Sequence, residues 1–149
     1  MKEYSMLKKI LITAASIILI SDVSHADTIE VKMLNKGEMG TMIFEPAFIK
    51  AMPGDTITFI STDNGHNVET VKGMIPEGAS KFKSKLGDNF SVTLNIEGIY
   101  GVKCTPHYAL GMVAVIQIGN AANYDTALNV KQKGKAKKRF SKLFKMIEM

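Results

Sequence analysis

Cys104, His107 and Met112 fall within one short stretch, residues 101–112, which reads Gly-Val-Lys-Cys-Thr-Pro-His-Tyr-Ala-Leu-Gly-Met. The stretch offers a thiolate, an imidazole and a thioether at Cys-x2-His-x4-Met spacing. Thiolate is the soft donor that copper and zinc both accept, and a thioether is a weak donor suited to a long axial position. Two residues between Cys104 and His107 let both side chains converge on one ion from a turn, and Pro106 stiffens that turn by fixing φ. Four residues between His107 and Met112 close the loop and bring Met112 in from the start of the next strand. The second imidazole, His66, must come from a different strand, so folding itself assembles the set. Two imidazoles, one thiolate and a weak methionine are the donors of a mononuclear copper electron-transfer site. Structural zinc favours four strong N or S ligands, and only three exist here. Met112 also stands where the water of a catalytic zinc would sit.

Taken singly, a lone cysteine is usually a buried small hydrophobe and a lone methionine usually fills core space. It is the joint pattern that points to a metal. A Cys-His nucleophile pair would need His107 as base, a third group to orient it and an oxyanion hole, and the sequence shows no such set. Enzymes with several coppers need many histidines. The reading is therefore a binding site for one copper ion (Cu2+/Cu+), without a catalytic residue and without enzymatic activity.

Cysteine usage and the N-terminus agree with export. Lys2, Lys8 and Lys9 precede or open an apolar run, 10–20, and Ser24-His25-Ala26 offers a small-x-small cleavage site. That run is too short for a membrane-spanning helix, which needs about 20 residues, and it fits the apolar region of a signal peptide. Residues 1–26 are expected to be cleaved, leaving a chain that starts at Asp27 and does not engage a membrane. In an oxidising compartment a lone cysteine pairs between chains, stays reactive or binds metal. Losing the leader also removes His25, so His66 and His107 are the only imidazoles left. The charge is uneven: eight lysines against ten acids leave −2 over 27–119, whereas seven lysines, one arginine and two acids give +6 over 120–149.

The elements that must position these donors read as strands. Residues 27–33 alternate loosely and suggest a first strand, with Asn35-Lys36-Gly37 as its turn. Residues 42–51 carry Pro46 in their middle, which suits an edge strand or a bulge. Pro53-Gly54-Asp55 is a turn signal, followed by a β-branched and aromatic strand over 56–61. A short strand is expected over 66–71, and a loop with one helical turn near 79–84. Residues 90–96 show clean period-2 alternation, with 99–103 returning as a hairpin partner. The apolar run 112–118 reads as a central closing strand. Short strands at regular spacing predict an all-β sandwich or barrel, occupying 27–119. In the remainder, 120–149, a short helix is expected over 123–130. Ala136, Phe140, Leu143, Phe144 and Ile147 then mark the apolar stripe of a second helix. That stripe is expected to dock on the sandwich, with Lys135, Lys137, Lys138, Arg139, Lys142 and Lys145 on a solvated basic face. No nucleic-acid partner is expected.

Three segments carry a family resemblance: Asn64-Gly65-His66-Asn67-Val68-Glu69, Lys72-Gly73-Met74-Ile75-Pro76-Glu77-Gly78, and Tyr100-Gly101-Val102-Lys103-Cys104-Thr105-Pro106-His107-Tyr108. Together with the two-helix tail they resemble the pseudoazurins, small blue copper proteins of the cupredoxin superfamily. The ligand loop alone would also suit plastocyanins, so the middle segment is the more specific. Leu110 departs slightly, standing where Met or a smaller apolar residue is usual. The resemblance implies a cupredoxin Greek-key β-sandwich of about eight strands with two C-terminal α-helices. It also implies a periplasmic electron carrier of denitrification, donating to copper nitrite reductase, with nitrous oxide reductase or a cytochrome-containing enzyme as other partners. A monomer is expected. The rival reading is a periplasmic copper carrier or buffer outside any redox circuit.

Around the donors, Asn67 is the candidate for a hydrogen bond toward the Cys104 sulfur or its loop, and Asn35 for tying the adjacent turn. Met42 is expected to pack on the His107 ring. The edge of His107 is expected near the surface, ringed by Met42, Pro106, Ala109, Leu110 and Gly111 as an apolar docking face. Lys36, Lys83, Lys85 and Lys103 are expected to surround it and steer an acidic partner.

Overall fold

Val31 and Met33 are fully buried while Glu30 and Lys32 face solvent, and this alternation runs along β1 (Thr28–Gly37) in a computed structural model that describes residues 25–149. The leader expected over 1–26 lies almost wholly outside the described residues. Among those residues no helix is long and apolar enough to cross a membrane. β1 pairs antiparallel with β2 (Gly40–Glu45) and parallel with β4 (Thr56–Ile60), and β4 pairs with β6 (Phe90–Thr93). The second sheet holds β3 (Phe48–Ala51), β5 (Glu69–Thr70), β7 (Gly98–Lys103) and β8 (Val113–Ile118), in the order β3-β8-β7-β5. Two helices follow, α1 (Tyr124–Leu128) and α2 (Gly134–Phe144).

Alternate residues explain how the layers meet. Val31, Met33, Phe44, Ile57 and Phe59 of the first sheet pack on Ile49, Tyr100, Val102, Ala114 and Ile116 of the second. β8 is buried along its whole length because its other face is covered too. Val113 and Val115 join Ile99 in a second cluster with Ala127 of α1 and Ala136, Phe140, Leu143 and Phe144 of α2. A strand buried on both faces reads as a continuous apolar run, which is why 112–118 lacks alternation. Its one polar residue, Gln117, is satisfied by the backbone carbonyl and N–H of Glu148, at 2.8 and 3.1 Å.

Several expectations change. Asn35-Lys36-Gly37 is not a turn: β1 continues through it, pairing Lys36 with Thr41 and Gly37 with Gly40, so the hairpin closes at Glu38 and Met39. Pro46 marks the point where the chain leaves the first sheet for the second, after a cis Glu45–Pro46 peptide. The helical turn near 79–84 does not form. That segment runs extended beside β5, with Thr70 N–H donating to Phe82 O and Ser84 N–H to Val68 O. The strand over 66–71 shrinks to Glu69–Thr70. β7 is not a hairpin partner of β6; it crosses to the other sheet, between β8 and β5.

Candidate metal centre

Two connections meet at one end of the sandwich, the one from β4 to β5 and the one from β7 to β8. His66 sits between β4 and β5, Cys104 follows β7 directly, and Met112 precedes β8 directly. His107 stands in the short connection from β7 to β8, which a 3-10 turn at Tyr108–Leu110 tightens. That connection is cross-braced by its own backbone. His107 N–H donates to Cys104 O at 3.2 Å, Met112 N–H to His107 O at 3.1 Å, and Cys104 N–H to Met112 O at 2.9 Å. Gly101 explains why the segment around Met74 lies so close behind β7. A Cβ there would come within 2.7 Å of the Met74 side chain, and Gly101 N–H donates to Met74 O at 2.7 Å.

The three strong donors converge. Cys104 Sγ lies 3.5 Å from His107 Nδ1 and 3.7 Å from His66 Nδ1, and the two Nδ1 atoms are 3.1 Å apart. An ion about 2.0 Å from imidazole nitrogen and about 2.3 Å from thiolate holds such donors roughly 3.3–3.8 Å apart. The triangle therefore has the size of a mononuclear site. His66, Cys104 and Met112 are fully buried, while His107 is partly exposed. His66 Nε2–H donates to Asn35 Oδ1 at 2.8 Å, which fixes the tautomer and turns the Nδ1 lone pair toward Cys104.

The electrostatics suit a cation. Burial, then the neighbouring His107, holds the His66 pKa below its ordinary value, with Asp63 opposing, so the metal-binding neutral imidazole is favoured. Burial pushes the Cys104 thiol up, while the Asn67 and His107 backbone N–H groups oppose that by favouring the thiolate. A buried thiolate needs a cation beside it, and a coordinated metal deprotonates a thiol outright. Two imidazoles, a thiolate and a thioether match copper rather than zinc, so the residues fit a copper ion.

The surrounding residues fall into place unevenly. Asn67 bonds the loop rather than the sulfur with its side chain: its Oδ1 accepts Thr105 N–H at 2.8 Å and its Nδ2 donates to Thr105 Oγ1 at 3.1 Å. Asn35 reaches His66 itself, and its backbone N–H donates to Asp63 Oδ2 at 2.7 Å. Met42 packs against the inter-sheet core and adopts φ of 49°. Pro106, Ala109 and Leu110 are exposed, whereas Gly111 is buried. Lys83, Lys85 and Pro106 line one shallow concavity of about 680 Å³ together with Asn67, Leu86 and Thr105. Lys103 Nζ stands 5.7 Å above the Tyr108 ring. Lys36 is exposed on β1.

Three features were not singled out from sequence. Glu69 accepts the Thr105 hydroxyl at 2.7 Å and pairs with Lys83 at 3.5 Å and Lys103 at 4.0 Å, so half of the expected basic ring is partly neutralised. Thr105 is the largest cause holding the Glu69 carboxyl below its usual range. Tyr108 donates its hydroxyl to Gln132 at 2.6 Å. Arg139, assigned above to a solvated face, is partly buried and donates to the carbonyls of Met42 and Gly111. Its being the sole arginine among 19 basic residues was the one available signal.

Comparison with known proteins agrees with this geometry. A family model described as copper binding proteins, plastocyanin/azurin family, matches residues 31–119. Pseudoazurin of Paracoccus pantotrophus is 49% identical over 127 residues, covering 85% of this chain and 88% of the relative. Pseudoazurin of Methylorubrum extorquens is 46% identical over 124 residues, covering 83% and 84%. The crystal structure of pseudoazurin from Methylobacterium extorquens AM1 superposes with a TM-score of 0.80 at 46% identity, covering 82% of this chain and 100% of that one. The two sheets of eight strands, the converging donors and these likenesses together place the chain in the pseudoazurins, within the plastocyanin/azurin family of copper-binding proteins.

Proposed function

We propose that this chain carries single electrons between redox proteins of the periplasm, with one copper ion held by His66, Cys104, His107 and Met112. The observation that carries the reading is the convergence of two imidazoles and one thiolate, of which only His107 reaches the surface. Copper supplies a one-electron Cu(II)/Cu(I) couple with the donor set of a blue-copper site. The chain's own residues do the rest. The sandwich and the cross-braced loop hold the donors in one arrangement, so little has to move when the charge changes. Asn35 keeps the His66 ring oriented, and the amides of Asn67 and His107 stabilise the thiolate. Burial of His66, Cys104 and Met112 excludes water. A partner docked on Pro106, Ala109 and Leu110 comes within one imidazole of the donors.

Copper nitrite reductase of denitrification is the acceptor proposed, with nitrous oxide reductase or a cytochrome-containing enzyme as others. Lys36 and Lys85, with Lys83 and Lys103 beside Glu69, steer an acidic partner. The decisive experiment is the visible spectrum of the oxidised copper-loaded protein. An intense thiolate-to-copper band, lost on reduction and in Cys104→Ala, is the expected result. A colourless complex would favour a copper buffer outside any redox circuit. Stopped-flow oxidation of the reduced protein by copper nitrite reductase tests the partner. N-terminal sequencing of the exported protein, expected to begin at Asp27, tests the leader and the compartment.

A further inference from the structure

Arg139 joins two carbonyls that are far apart in sequence. Its Nη1 donates to Gly111 O at 2.6 Å and to Met42 O at 2.8 Å. The Gly111 carbonyl belongs to the peptide bond that leads into Met112. The opposite edge of the same peptide, the Met112 N–H, donates to His107 O at 3.1 Å. One peptide plane is therefore held from both sides, by the loop on one and by α2 on the other. The first turn of α2 also presses on this point, since a Cβ at Gly111 would lie 3.1 Å from Lys135 Cβ. Gly111 has φ of 90°, where a side chain would be strained regardless of space. Met42 is the one non-glycine residue with positive φ among those described, a conformation that L side chains avoid. Arg139 bonds its carbonyl.

A planar guanidinium stays charged and bonds neutral carbonyls more strongly than a neutral donor would. Among the described residues no carboxylate forms an ion pair with Arg139, so the pair of carbonyls is what it holds. We propose that Arg139 is a positioning residue for the metal centre: by tying the Gly111 and Met42 carbonyls, it fixes Met112 and the loop of His107 relative to Cys104. The proposal rests on the copper reading above. It gives α2 a role at the metal centre, beyond covering the second sheet.

The test compares Arg139→Met, Arg139→Lys and Leu143→Ala in the full chain. Leu143 is fully buried in the same helix and makes no contact with those carbonyls through hydrogen bonds, so its variant loosens α2 without cutting the tie. The first readout is amide exchange of Met112 in copper-free protein, measured relative to the amides of β8. Arg139→Met is expected to speed it by about tenfold or more, the loss of a charged hydrogen bond. Arg139→Lys, which lacks the planar fork, should fall between. The second readout is the intensity ratio of the visible thiolate-to-copper bands and the reduction potential. Both should shift in Arg139→Met and stay at wild-type values in Leu143→Ala, although the latter melts at lower temperature. Unchanged Met112 exchange, band ratio and potential in Arg139→Met would overturn the proposal, as would equal shifts in Leu143→Ala. If Arg139→Met does not fold, Arg139→Gln takes its place in the same comparison. A wild-type protein without the thiolate-to-copper band would sink the copper reading, while the exchange experiment would still decide the tie.

Discussion

Replacing Asn35 by leucine should weaken copper binding about ten- to hundredfold without unfolding the protein. The reasoning starts from His66, which is fully buried and whose Nε2–H has Asn35 Oδ1 as its partner at 2.8 Å. Leucine has nearly the shape of asparagine but accepts nothing, so the proton is left buried and unpaired. Such an orphan costs about 1–3 kcal/mol, the same range that the expected change in affinity spans. The ring is then also free to turn its Nδ1 away from Cys104. Asn35→Ala should do less, because Asn35 lies at the exposed rim and the smaller side chain admits a water that takes the proton. The backbone tie from Asn35 N–H to Asp63 survives both changes. Affinity is read by competition with a chelator, following the visible band. An Asn35→Leu protein that binds copper within about twofold of wild type, and no more weakly than Asn35→Ala, would refute the argument.

Asp55 accepts the N–H of Asp27 and of Met52, both at 2.8 Å, and these bonds hold its carboxyl below its usual range. A depressed folded pKa means stability that is complete above the unfolded value, about 3.9, and is lost as pH falls through the folded value. The wild-type Tm should drop on acidification below about pH 4 more steeply than that of Asp55→Asn, which starts lower at neutral pH; parallel curves would contradict this. Glu69→Gln should free Lys83 and Lys103 and raise the association rate with an acidic redox partner at low salt. The two rates should merge above about 0.5 M salt, and equal rates at low salt would remove Glu69 from steering. Leu143→Ala should cost about 2–5 kcal/mol in denaturant unfolding, since Leu143 is buried between α2 and β8. Leu110→Asp should slow transfer to the partner while leaving the spectrum unchanged, because Leu110 is 42% exposed beside His107; an unchanged rate would move the docking face elsewhere.

What was legible in the sequence, and what was not, follows from the range of the signals. Cys104, His66 and His107 stood out because the chain holds one cysteine and, beyond the expected leader, two histidines, whereas Met112, one of ten methionines, stood out by its spacing from His107 in the same loop. The sandwich was legible through alternation, which depends only on neighbours two residues apart. Sheet membership was not: β6 and β7 follow one another closely yet lie in different sheets, and local pattern carries no information about which partner a strand takes. Asn35 was read as part of a turn because Asn-Lys-Gly has turn chemistry, yet its strand continues, and its side chain reaches a histidine 31 residues away. Arg139 is the sharper case. Helical periodicity sorts residues by face, and it put Arg139 with the lysines. Periodicity records where a Cα–Cβ bond points, however, and says nothing of how far a long side chain reaches back over the edge of its helix. A lysine stripe gains by staying in water, because each ammonium is strongly hydrated. A guanidinium is more weakly hydrated and can trade water for carbonyls at the rim of a core. The single arginine on a face of lysines is thus the position at which the basic surface meets the metal loop.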